Sequence, residues 1–109
     1  MVVTNEDLAR TTQLFVAGLE EQYKGDIPGD CEVYWDARIL MARLRGMELY
    51  LVLVFTAPND FLDFVCEADN EEHAEEQARS ENIVTDVVSV MTVEKYIAEM
   101  AAVPHARTH

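Results

Sequence analysis

Apolar positions along the chain fall into segments of two different periods. Leu8, Phe15 and Leu19 recur at helical spacing, with Leu14, Val16 and Tyr23 beside them. They predict a helix from Asn5 to Lys24. Thr4 stands at its start and Asp7 three residues on, the spacing at which the two side chains cap each other's backbone N–H. Gly25 offers a stop, and Gly25 to Asp30, with Pro28 and Gly29, reads as a loop.

Cys31 to Gly46 is compatible with both periods. At period two, Cys31, Val33, Trp35, Ala37 and Ile39 share one face and Glu32, Tyr34, Asp36 and Arg38 the other. At helical period, Val33, Ala37, Leu40 and Leu44 form a stripe, and Ala, Leu, Met and Arg favour helix in the second half. The β-favouring Val, Tyr and Trp of the first half tip the expectation to a strand from Glu32 to Met41, closed by a turn at Arg45-Gly46.

Glu48 to Thr56 carries the clearest strand pattern. Leu49, Leu51, Leu53 and Phe55 alternate with Tyr50, Val52 and Val54, so both faces are apolar. That is the pattern of a central strand covered on both sides, or of one whose second face meets a partner. Ala57-Pro58-Asn59-Asp60 has turn chemistry. Phe61 to Ala68 pairs back as a strand with one apolar and one mixed face. Asp69-Asn70-Glu71-Glu72 starts a helix that runs to about Glu81, its apolar contacts limited to Ala74 and Ala78. Val84 to Thr92 is a β-branched strand, and Val93 to Val103 a last helix with Tyr96, Ile97 and Met100 as its stripe. Pro104 ends that helix, and Pro104 to His109 is expected to form a flexible tail.

These segments predict an α+β fold: an antiparallel sheet of three to four strands with helices packed mainly on one face. At 109 residues, with half of them apolar, residues 1–103 are expected to form a single domain with its own core. The longest apolar run, Leu49 to Ala57, is too short to span a bilayer, and the first seven residues do not resemble a signal or transit peptide. Cys31 and Cys66 form no C-x-x-C pair or dense framework, which suits a reducing compartment. A cytoplasmic location is the expectation.

Charge sharpens the picture. The formal net charge is -13, and eight carboxylates lie between Asp60 and Glu76 with no Lys or Arg among them. Such a surface repels nucleic acid and anionic lipid and steers basic partners inward. First-turn acids at Asp69, Glu71 and Glu72 complement the helix dipole. Glu71/Glu75 and Glu72/Glu76 instead set like charges four apart, each pair costing about 0.2–0.5 kcal/mol. Arg79 offsets part of that cost. Asp69, Glu71, Glu72, Glu75 and Glu76 are therefore candidate partner-binding residues, against the plainer reading of a solvated helix face. A second candidate is the basic and aromatic patch of Trp35, Arg38, Arg43 and Arg45, beside Tyr34, whose composition is that of an interface hot spot or of an ion-paired mate for the acidic helix.

No catalytic, metal or cofactor site is expected. His73 lies near Glu72 and Glu76 without a second His or Cys at ligand spacing, and His105 and His109 fall in the tail. The acids beside Cys31 oppose thiolate formation, Cys66 sits in an apolar strand as a small core residue, and the four glycines form no phosphate loop.

The function expected is that of a small acidic non-enzymatic protein that binds, and regulates or inhibits, a protein with a basic surface. One version mimics nucleic-acid charge, as phage-encoded inhibitors of restriction or CRISPR complexes do. Direct nucleic-acid binding and membrane binding are not expected. Two alternatives stand beside it: a homo-oligomeric structural subunit, and a small enzyme or ligand carrier with a pocket under the first helix. A homodimer is also expected, through the Tyr50, Val52 and Val54 face or an edge strand, because that sheet face lacks evident cover.

Overall fold

The computed structural model describes residues 2–56 and 60–102. Along the chain run α1 (Asn5–Gln22), α2 (Glu32–Leu44), β1 (Glu48–Thr56), β2 (Asp60–Ala68), α3 (Glu71–Glu81), β3 (Val84–Thr92) and α4 (Val93–Ala102). The fold is α+β, with an antiparallel sheet ordered β2-β1-β3. The centre of the expected turn, Ala57 to Asn59, and the expected tail, Pro104 to His109, lie outside the described residues. The chain divides into two compact units, one ending at Glu48 and one beginning at Leu49.

In the first unit, α1 starts at the capping box read from Thr4 and Asp7. The Thr4 hydroxyl accepts from the Asp7 N–H at 3.1 Å, and the Asp7 carboxylate accepts from the Thr4 N–H at 3.2 Å. The helix ends two residues before the expected Lys24. Lys24 itself takes the left-handed conformation (φ 56°), and the Gly25 N–H closes onto the Glu20 carbonyl at 2.8 Å. Most helices reserve that place for glycine, which has no Cβ to strain it.

The expected strand from Glu32 to Met41 is helix instead. The residues that decide it are Tyr34, Ala37 and Met41, spaced i, i+3, i+7, which close a core with Val16 of α1. A strand would have sent Tyr34 to the opposite face from Ala37 and Met41. Burying this helical stripe on α1 outweighs the modest β preference of Val, Tyr and Trp. Even the helical alternative pointed elsewhere: Val33 and Leu40 are exposed. The α2 C-terminus is closed by Gly46 (φ 77°), whose N–H meets the Arg43 carbonyl at 3.0 Å, while the Met47 N–H meets that of Ala42 at 2.8 Å. These are the two bonds of a Schellman motif.

In the second unit, β1 is central, as its two apolar faces require. Tyr50, Val52 and Val54 form a buried cluster with Cys66, Ala68, Ala74 and Ala78. The sheet face expected to lack cover is therefore closed by α3, with Ala74 and Ala78 fully buried against it. Alanine is small enough to let the helix backbone approach the sheet. Leu49 and Leu51, on the opposite face, are buried as well. β3 pairs with β1 in a register that skips Val88 and Thr85, giving two irregularities. Bulges of this kind twist an edge strand and blunt its capacity to pair with another chain.

Candidate functional site

The acidic residues of α3 stand on a well-anchored helix. Its N-cap is Asn70, one residue after the expected Asp69, and the Asn70 side chain accepts from the His73 N–H at 2.8 Å. His73 completes the start in reciprocal fashion: its Nδ1 accepts from the Asp69 N–H at 3.1 Å. The imidazole is thus part of the helix start and keeps 40% of its side chain exposed. Gln77 donates to the Glu67 carbonyl at 2.8 Å and ties the helix to β2. The Asn82 side chain donates to the Ala78 carbonyl at 3.0 Å near the C-terminus.

With Ala74 and Ala78 turned to the sheet, the carboxylates turn outward. Asp69, Glu71, Glu72 and Glu76 are exposed, and Glu75 is held by Arg79 at 3.1 Å. Four carboxylates, Glu71, Glu72, Glu75 and Glu76, thus lie within six helical residues, roughly 9 Å of axis at about 1.5 Å per residue, or about one per 2 Å, with Asp69 just before the N-cap. Duplex DNA carries one charge per roughly 1.7 Å of axis and a single strand one per about 3.4 Å. Two further acids of the sequence cluster, Asp63 and Glu67, do not join this face. Leu62, Phe64, Cys66 and Ala68 pack toward α3, so strand alternation sends Asp63 and Glu67 to the other side of the sheet.

Among the basic and aromatic residues, Arg43 stands apart. At about 100° per residue, Arg43 projects roughly 140° around α2 from Arg38. Arg38 donates to the Tyr34 hydroxyl at 2.9 Å, and that hydroxyl donates to the Glu20 carboxylate at 2.8 Å. Burial, followed by the bond to Glu20, raises the Tyr34 pKa above its ordinary value. Trp35 packs edge-on against Tyr34, with ring centroids 4.8 Å apart. Arg43 pairs with Glu48 at 3.0 Å, and Arg45 is the C-cap residue of α2. Arg38 and Trp35 thus take part in the α1–α2 seam. Sequence reading missed Glu20, which completes the Tyr34 network from another helix at a separation no local motif encodes.

Cys66 is buried and its Sγ lies 4.0 Å from the Ala74 carbonyl, while Cys31 is half-buried. Among the described residues, no three His, Cys, Asp or Glu side chains are grouped to hold a metal ion. No helix among them is long and apolar enough to cross a membrane. No family model matches the chain, and comparison with curated proteins and with solved structures finds no match either.

Proposed function

We propose that the protein is a non-enzymatic binder whose acidic α3 face docks on a basic, nucleic-acid-binding surface of a protein partner and inhibits it by standing in for phosphate charge. One observation carries the reading: Glu71, Glu72, Glu75 and Glu76 project from a helix seated on buried alanines and capped at both ends, with Asp69 just before its N-cap, at an axial charge spacing close to that of nucleic acid. Preorganisation matters here. Like charges held on a rigid helix need no further ordering when a basic cleft closes on them, so less of the binding energy is lost to entropy.

The test captures proteins from the source cell extract on the immobilised chain, beside a variant carrying Glu71→Gln, Glu72→Gln, Glu75→Gln and Glu76→Gln. The expected outcome is a nucleic-acid-binding protein held by the parent chain, released by added duplex DNA and poorly held by the variant. Equal capture by both chains, or retention indifferent to DNA, would overturn the proposal.

A further inference from the structure

We infer that one side of the α1–α2 hairpin is a self-association surface, on which a second copy of this chain seats about a two-fold axis. The hairpin is antiparallel, since Glu20 near the end of α1 meets Tyr34 near the start of α2. Val16 faces Tyr34, Ala37 and Met41 across the seam. The Glu20–Tyr34–Arg38 chain marks one side of that seam. At about 100° per residue, Leu8 and Phe15 of α1 and Val33 and Leu40 of α2 all emerge on the other. They are 46%, 49%, 58% and 49% exposed.

Two features make this side suited to a copy of itself. First, Thr11 to Leu19 contains no charged residue, in a chain of net charge -13. Self-repulsion opposes association elsewhere on so acidic a molecule and is weakest here. The polar groups present are already satisfied: Thr11 and Thr12 donate to the Asp7 and Leu8 carbonyls at 3.0 and 2.8 Å, so covering them strands no hydroxyl proton. Second, the outer stripe of α2 reads Val33, Asp36, Leu40, Arg43, with acid before base. An antiparallel copy of α2 brings Asp36 near the partner's Arg43, and two-fold symmetry repeats the pair. Arg43 keeps its bond to Glu48 and still has 43% of its side chain exposed.

The area fits a weak dimer. A half-exposed Phe leaves about 100 Å² in water, and with comparable areas for the three aliphatic residues the patch is on the order of 350 Å² per copy. Two copies cover about 700 Å² of apolar surface. At the roughly 56–65% apolar content of interfaces, that implies a total near 1,100–1,250 Å², the lower edge of stable assemblies. The sheet face formed by Tyr50, Val52 and Val54 is buried under α3 and offers no comparable surface.

Sedimentation equilibrium of the whole chain from about 5 to 500 µM, at low and high salt, provides the test. The weight-average mass should climb from the 12.4 kDa monomer toward twice that value, more steeply at high salt. Phe15→Glu and Leu40→Glu, on exposed positions of different helices, should each weaken association at least tenfold while circular dichroism shows an unchanged fold. Asp36→Arg makes the chain less negative, so any association limited only by charge would tighten. In the paired geometry it meets the partner's Arg43 and weakens association. A monomer at every concentration and salt, an unaltered dimer in both Glu variants, or a tighter dimer with Asp36→Arg would each overturn the inference.

Discussion

Replacing Ala78 with Leu tests whether α3 lies directly on the sheet. Ala78 is fully buried in the cluster with Tyr50, Val52, Val54, Cys66, Ala68 and Ala74. Leu adds three carbon atoms at a position whose neighbours include the core strand. Helix propensity differs little between the two residues, so the effect is one of packing. Overpacking of this kind costs about 1–3 kcal/mol. For a chain of this size each kcal/mol lowers the midpoint by roughly 4–8 °C, so Ala78→Leu should melt on the order of 5–20 °C below the parent. Thermal and urea unfolding followed by circular dichroism measure it, with Ser80→Leu, one turn-face away and exposed, as the control. A stability within about 0.5 kcal/mol of the parent, the range of an ordinary surface substitution, would refute close seating of α3 and reopen the cover of that sheet face.

Three further outcomes follow from the same geometry. Asn70→Ala should lose about 0.5–2 kcal/mol in urea unfolding, because the His73 N–H then loses its cap; no loss would place the helix start elsewhere. Lys24→Gly should gain from a few tenths to about 1 kcal/mol by relieving the left-handed strain, and a loss would contradict the φ of that residue. Tyr34 is held above its ordinary pKa of 10.0 chiefly by burial. Its contribution to stability is therefore full below pH about 10 and is lost as pH rises further, through the folded-state value. An absorbance titration of the tyrosines should show one late component that Tyr34→Phe removes; identical curves would contradict the assignment.

Much of this fold is legible in the sequence wherever one physical cause dominates. The Thr4/Asp7 box starts α1 as its spacing implies. The alternation of Leu49 to Phe55 against Tyr50 to Val54 marks β1 as central, and Ala74 and Ala78 mark the seat of α3. Cys31 to Gly46 defeats local reading because strand and helix both give it an apolar face. What settles it is a distant partner, Val16, that rewards the Tyr34, Ala37, Met41 spacing. The irregular register of β3 is invisible for a similar reason: Val88 looks like any strand valine until pairing with β1 passes over it. At the candidate site the acids could be read directly. Their division between α3 and the far side of β2 could not, since it depends on which face of β2 the helix covers. In the Arg and Trp cluster, what could not be read is that α2 turns Arg43 away from Arg38, since the stretch reads as a strand.

The central claim is that the α3 carboxylates dock on a basic partner, and the salt dependence of the association rate tests it most directly. Converting Glu71, Glu72, Glu75 and Glu76 to Gln relieves two like-charge pairs at about 0.2–0.5 kcal/mol each. It forgoes the exposed Glu75–Arg79 pair, about 0.3–0.5 kcal/mol, and the dipole interactions of Glu71 and Glu72, about 0.3–1 kcal/mol each at low salt. The variant should therefore remain folded, with only a small change in stability. Against the purified protein captured from extract, the parent should associate at least tenfold faster than the variant at about 50 mM salt, and the two rates should converge as salt rises, with dissociation rates little changed. Equal association rates and equal salt slopes for the two chains would contradict the account.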